Sequence, residues 1–89
     1  MISPKDKTKI LEIARRYNAK RVLLFGSSAD PQKEANDIDL GVDGIPAGNF
    51  FKFYGDIIFS VSKPVDLVDL SRKSKFVQMI HREGVLLYG

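Results

Sequence analysis

The chain has 89 residues, a formal net charge of +3 and no cysteine. A chain of this size buries roughly 60–65% of its unfolded surface, which allows one core, so we expect a single domain over residues 1–89. Without cysteine, neither a disulfide nor a thiolate-bound zinc ion can form. No apolar run approaches membrane-spanning length and the first residues lack the apolar core of a signal peptide. We therefore predict a cytoplasmic protein without membrane contact.

Basic residues are concentrated in the first quarter of the chain. One interpretation is a solvated helix face; the other is a positive field that attracts a phosphate-bearing ligand or an acidic partner. The sequence has no alternation of aromatic and basic residues typical of a single-strand binding surface, so we do not expect a nucleic-acid partner. The basic residues are Lys5, Lys7, Lys9, Arg15, Arg16, Lys20 and Arg21.

The first predicted element is an amphipathic helix. Ser3 is a suitable N-cap, Pro4 suits the first helical position, and Asp6 places an acid in the first turn. Apolar residues then recur at helical spacing, and Asn18 is the predicted end. The predicted buried stripe is Ile10, Ile13, Ala14 and Tyr17.

Two strands and a tight turn are predicted next. Residues 20–25 are apolar on both faces, which is typical of a central strand. A helical turn starts at Gly26 and should stop before Pro31, because proline cannot continue a helix. After a polar loop, residues 37–42 form the second strand.

A second helix is predicted from Ala47 to about Val61. Its predicted buried stripe consists of Phe50, Phe53, Tyr54, Ile57, Ile58 and Val61. Phe51 and Phe59 lie beside that stripe, and we expect them to be partly exposed. Such aromatic residues usually belong to a core, but four phenylalanines exceed what one helix face needs, which leaves a partner-binding patch as the alternative.

The last third of the chain repeats the alternation of strand and helix. Residues 65–70 form a strand, and a helix capped by Ser71 follows over about residues 73–83, with Phe76, Val77 and Ile80 inward. Gly84 ends this helix, and residues 85–88 form a short final strand. The pattern predicts an α/β (α+β) fold with a small mixed sheet covered mainly on one face by helices.

Carboxylate and aliphatic side chains alternate in the second predicted strand. Because side chains of a strand point to alternate faces, Asp37 and Asp39 share one face while Ile38 and Leu40 enter the core. Adjacent like charges repel, and a divalent metal ion is the commonest reason to keep them. A solvent-exposed polar face of an edge strand is the alternative.

The third strand supplies a third carboxylate. Asp66 lies on the face opposite Val65 and Leu67, whereas Asp69 has the other parity. If this strand neighbours the second, Asp66 comes beside the first two acids. Three such carboxylates can hold two divalent ions about 3.5–4 Å apart, the arrangement used for in-line phosphoryl or nucleotidyl displacement.

Gly26 and Ser27 complete the predicted site. A glycine directly after a central strand lets a phosphate approach the backbone, and the following turn offers N–H groups and a hydroxyl to phosphate oxygens. Ser28 would then turn away from the phosphate. This signal is weak alone, but it is specific when Asp37, Asp39 and Asp66 follow it at these spacings.

With these motifs, the chain resembles the minimal nucleotidyltransferases of the DNA polymerase β superfamily, the MNT type found as antitoxin partners of HEPN-domain toxins. The resemblance covers nearly the whole chain. It implies a polymerase-β-like nucleotidyltransferase fold, with Gly26 and Ser27 binding the nucleotide and Asp37, Asp39 and Asp66 as catalytic and Mg²⁺-binding residues, two ions in all. It further implies transfer of a nucleoside monophosphate, from ATP, to a hydroxyl, which in the toxin–antitoxin members is a tyrosine of the helical HEPN partner.

The chain departs from the family pattern after its Gly-Ser pair. Asp30 stands where the family usually has arginine and Pro31 where it has a second glycine, and the loop to Asp37 is one residue short. An acid near a triphosphate repels it. The alternative is therefore an inactive or weak module of the same fold that neutralises a partner by binding alone.

Overall fold

The computed structural model describes residues 2–89, over which helices and strands alternate. Every predicted element is present, with small differences at the ends. In chain order they are α1 (Pro4–Arg16), β1 (Arg21–Leu24), a 3-10 turn (Gly26–Ala29), β2 (Ile38–Asp43), α2 (Ala47–Ser60), β3 (Val65–Asp69), α3 (Lys75–Glu83) and β4 (Val85–Tyr88).

The strands form one mixed sheet in the order β3-β2-β1-β4. β1 pairs antiparallel with both β2 and β4, so the apolar first strand is internal, as its composition predicted. β2 and β3 pair in parallel, with α2 as the crossover connection. This pairing brings the two carboxylate-bearing strands side by side.

The two faces of the sheet have different cover. On one face, α1 and α2 pack over Ile38, Leu40 and Val42, which are fully or almost fully buried. On the other face, α3 packs through Val77 and Ile80 against β1 and the end of β3. Helices therefore cover mainly one face, as predicted, and α3 adds partial cover to the face that carries the carboxylates.

The start of α1 confirms the predicted capping pattern and adds a contact. The Ser3 hydroxyl accepts a hydrogen bond from the Asp6 N–H at 3.2 Å. Asp6 is only 3% exposed, and its carboxylate accepts bonds from the N–H and hydroxyl of Ser62, at 3.1 and 2.7 Å. The first turn of α1 is thus tied to the segment after α2. The helix ends before Asn18, whose φ of 55° lies in the left-handed region that asparagine tolerates.

The predicted buried stripe of α2 is too wide. Phe53 and Ile57 are fully buried, but Ile58 is 49% exposed, so its predicted burial is wrong. Residues 57 and 58 lie about 100° apart around a helix, and only the first of them faces the sheet. Phe51 and Phe59 are 82% and 92% exposed, more than the partial exposure predicted. No helix within residues 2–89 has the length and apolar character needed to cross a membrane.

The start of α3 also differs from the prediction. Its N-cap is Ser74, whose hydroxyl accepts from the Val77 N–H at 3.0 Å, and not Ser71. Ser71 instead bonds the Asp69 side chain in the turn that follows β3. Phe76, predicted to point inward, is 48% exposed, because it lies in the first turn and rests edge-on against Phe25 with open space beyond.

Candidate active site

The register of β2 and β3 places two of the three predicted carboxylates opposite each other. Asp39 is the direct partner of Asp66 in the parallel pair. Directly paired residues point to the same face, and neighbouring strands lie only about 4.8 Å apart. Asp37 precedes β2 by one residue, and the alternation of side chains puts it on the same face as Asp39. The sheet thus brings together the three acids that the sequence singled out.

Asp39 is at the centre of this group. It is half-buried, whereas Asp37 and Asp66 are exposed. Burial raises the pKa of the Asp39 carboxyl above its ordinary value, and the negative charges of Asp66 and then Asp37 raise it further. Within residues 2–89 no ion pair neutralises any of the three. The result is a cluster of oxygen donors with uncompensated negative charge.

The chemistry of these donors fits a divalent cation, but the cluster is not a closed cage. Among residues 2–89, no three acidic or imidazole side chains are placed closely enough to hold one ion together. Mg²⁺ commonly binds through one or two carboxylates and completes its shell with water and substrate phosphate oxygens. An open pair such as Asp39 and Asp66, with Asp37 beside it, is compatible with that mode of binding.

Asp69 has a separate role. It pairs with the buried Val42 and ends β3. Its Oδ1 accepts hydrogen bonds from the N–H and the hydroxyl of Ser71, at 2.9 and 2.7 Å. These bonds close the turn after the strand and take Asp69 away from the carboxylate cluster, in line with its parity.

Gly26 lies in direct contact with the cluster. Its φ is +61°, in the left-handed region that favours glycine, and a Cβ at this position would lie 2.7 Å from Oδ2 of Asp39. Both the backbone conformation and the space therefore require glycine. The turn that the sequence predicted to hold phosphate is packed against the central predicted metal ligand.

The two serines of the turn differ in exposure. Ser27 is exposed, and Ser28 is fully buried. The Ser28 hydroxyl donates to the carbonyl of Asp37 at 3.1 Å and accepts from the N–H of Asp39 at 3.0 Å. The sequence indicated that Ser28 turns away from the phosphate side but not what it contacts. Its partners lie nine and eleven residues later in the chain, beyond the reach of a local pattern.

A cleft of about 520 Å³ opens next to Gly26, between the 3-10 turn and α3. Its walls are mostly apolar, with two acidic side chains. It is lined by Phe25, Gly26, Ala29, Asp30, Phe76, Met79 and Glu83. Asp30 also accepts a hydrogen bond from the Gln32 N–H at 2.9 Å, so it shapes the loop after the turn. The carboxylate that departs from the family pattern is thus close to the predicted phosphate site.

The basic residues of the first quarter are not part of this site. α1 packs on the face of the sheet that carries Ile38 and Leu40, opposite the face of Asp39. Arg21 forms an ion pair with Asp43 at 3.3 Å, and the other basic residues of this group are exposed. The arrangement favours the interpretation of a solvated helix face.

The fold and this site together define the class of protein to which the chain belongs. Residues 8–89 match the model of the family described as polymerase beta, nucleotidyltransferase, and the chain belongs to that family. The match covers all of β1 to β4, including every residue of the predicted site. A search of the curated proteins found no match.

Three solved structures with a similar fold are toxin–antitoxin structures, in agreement with the predicted resemblance. One is a toxin–antitoxin structure with AMP-PNP, which is 26% identical with a TM-score of 0.75; the match covers 93% of this chain and 73% of that one. A mutant of the toxin–antitoxin pair MntA–HpeT is 22% identical with a TM-score of 0.73, covering 93% and 72%. The toxin–antitoxin pair MntA–HepT is 23% identical with a TM-score of 0.70, covering 94% and 70%. At these sequence identities, the last two structures show only that the fold is shared.

Proposed function

We propose that this protein transfers a nucleoside monophosphate from a nucleoside triphosphate to a hydroxyl group. The observation that carries the proposal is the contact of three features at one place: Asp39 lies opposite Asp66 in the sheet, beside Asp37, and against Gly26 of the turn. A turn able to bind phosphate next to paired carboxylates suits metal-assisted in-line displacement at phosphorus. Family membership supports the same chemistry.

Each residue has a proposed role. Asp37 and Asp39 would hold one Mg²⁺ ion, and Asp39 and Asp66 would hold a second. Ions bound there would neutralise phosphate charge and orient the reacting oxygens. The backbone N–H groups of the turn at Gly26 and the Ser27 hydroxyl hold the β- and γ-phosphates. Asp66 is exposed and assists in taking the proton of the acceptor hydroxyl. The acceptor oxygen bonds to the α-phosphorus, the bond from that phosphorus to the bridging oxygen breaks, and pyrophosphate leaves.

ATP is the proposed donor, and the acceptor hydroxyl is proposed to be a tyrosine of a helical toxin of the HEPN type. A similar solved structure contains AMP-PNP together with a toxin and an antitoxin. Nucleotidyl transfer needs the acceptor held in line with the α-phosphate, and a partner can supply that surface. On α2, Phe51 and Phe59 are the most exposed large apolar residues, and we propose this face as the docking surface.

A second candidate function is neutralisation of the partner by contact without transfer. The observation in its favour is the position of Asp30, whose side chain lines the cleft next to Gly26. A carboxylate there opposes the binding of a triphosphate. In this case the fold and the docking surface on α2 would be kept, and the nucleotide would not bind.

A thermal-shift titration with ATP, with and without Mg²⁺, separates the two candidates. A ligand that binds only the folded state raises the unfolding midpoint once its concentration exceeds the dissociation constant. The enzyme proposal predicts a rise with ATP that depends on Mg²⁺ and is lost in Asp39→Asn. An unchanged midpoint at millimolar ATP with Mg²⁺ would favour the contact module.

A further inference from the structure

Ser28 fills a gap that the topology leaves in the sheet. The Phe25 N–H donates to the Asp39 carbonyl at 3.2 Å, so the backbone groups of Asp39 face the β1 side of β2. β1 ends at Leu24, and at Gly26 the chain turns away with a φ of +61°. The Asp39 N–H therefore has no strand partner there. The Ser28 hydroxyl takes the place of that strand, because it accepts from the Asp39 N–H and donates to the Asp37 carbonyl.

This contact fixes the backbone on both sides of Ile38. Ser28 is fully buried and its single O–H proton is used, so the geometry of the two bonds is tightly constrained. The three carboxylates nearby repel one another and have no basic partner within residues 2–89. The two hydrogen bonds of Ser28 hold the backbone of Asp37 and Asp39 in place against this repulsion.

We propose that Ser28 is a positioning residue that holds the backbone of Asp37 and Asp39 in the arrangement needed to bind a divalent cation. The inference rests on the proposed function in that it takes Asp37 and Asp39 as metal ligands. Ser28 touches neither the nucleotide nor the cation. Its effect passes through the two backbone bonds, and because it belongs to the 3-10 turn, it also links Gly26 and Ser27 to the acids.

The test uses the full chain and Ser28→Ala, with Ser60→Ala, at an exposed serine that ends α2, as the control. Amide hydrogen exchange followed by NMR reads the contact itself: the Asp39 amide should exchange about five- to tenfold faster in Ser28→Ala, as loss of one hydrogen bond implies. The Mn²⁺ affinity, measured by electron paramagnetic resonance without nucleotide, reports whether the acids are placed to bind a cation. It should fall about 10–100-fold in Ser28→Ala, the usual effect of removing a group that orients metal ligands. Ser60→Ala should change neither.

A second variant covers the case in which Ser28→Ala does not fold. Ser28→Cys fills the space but forms weaker hydrogen bonds, so its Mn²⁺ affinity should lie below that of the unchanged chain. If a folded Ser28 variant binds Mn²⁺ as tightly as the unchanged chain does, the positioning role of Ser28 is wrong, while the proposed metal role of the acids stands. If the unchanged chain binds no Mn²⁺ without nucleotide, the same comparison of variants is made with ATP present, because phosphate oxygens can complete the shell of the cation. If it binds no Mn²⁺ under either condition, the proposed metal role of the acids fails, and with it the positioning role of Ser28.

Discussion

Asp39 combines three properties that rarely occur in one carboxylate. It is half-buried, it faces Asp66 across the sheet, and its side chain fills the space beside Gly26. Burial and the two neighbouring acids raise the pKa of Asp39. A carboxyl with a pKa raised by folding binds its proton more tightly in the folded state. Its stabilising contribution is thus complete below the ordinary value of 3.8 and is lost as pH rises through the folded-state pKa.

This sign gives a stability prediction for Asp39→Asn. Without divalent cations at pH 7, the variant should have a higher free energy of unfolding than the unchanged chain, because the amide removes a charge that the fold disfavours. The difference should shrink as pH falls toward the ordinary pKa of aspartate. Urea unfolding at pH 7 and at low pH measures it, with the exposed Glu12→Gln on α1 as control. A variant less stable than the unchanged chain at pH 7 would contradict the electrostatic account.

At this scale the sequence predicted on which face the acids lie better than it predicted their surroundings. The parity of β3 separates Asp66 from Asp69, and the condition that β3 neighbours β2 is met in the structure. Where the chain goes after Gly26, and hence the contact of Ser28 with Asp39, depends on a loop whose polar residues have no strong local preference. The contact of Gly26 with Asp39 is likewise a tertiary one, although the need for a glycine was visible.

Among the elements, α2 carries large apolar residues on both its buried and its exposed face. Phe53 and Ile57 are fully buried, while Phe51, Ile58 and Phe59 face solvent. Periodicity predicted the helix and its inner residues, but a hydrophobic pattern does not tell a residue buried in the domain from one kept for a partner. Ser71 was predicted to cap α3, but its hydroxyl bonds Asp69 in the turn after β3, and Ser74 caps the helix instead.

The exposed face of α2 gives a prediction for partner binding. Phe51→Ser with Phe59→Ser should leave the free energy of unfolding within about 0.5 kcal/mol, because both side chains lie mostly in solvent. Affinity for the proposed toxin-like partner, once it has been identified by co-purification, should fall about tenfold or more, as expected when aromatic anchors are removed. Isothermal titration calorimetry measures it. Leu86→Ser, which removes an exposed residue of β4, is the control, and equal affinities for both variants would place the interface elsewhere.

On the scale of the whole molecule, the order of the strands determines which residues meet at the candidate active site. The parallel pairing of β2 with β3 aligns Asp39 and Asp66, and the internal position of β1 places its following turn against them. α1 and α2 cover the opposite face, so the exposed aromatic residues of α2 belong to a surface separate from the carboxylates. The alternation of strands and helices predicted a small mixed sheet covered mainly on one face, but it left open the order of the strands and the pairing of β2 with β3. The partial cover by α3 was not predicted, because the periodicity of α3 shows which side is apolar but not which face of the sheet it meets.

The most direct test of the central claim is the intact mass of the partner. Any partner that co-purifies with this protein from among the products of neighbouring genes is incubated with it, ATP and Mg²⁺, and the masses of both chains are measured by mass spectrometry. The account predicts that the partner gains the mass of one or more adenylyl groups, and that the complex formed with Asp39→Asn gains none. A stable complex whose partner keeps its original mass under these conditions would contradict nucleotidyl transfer and leave neutralisation by contact.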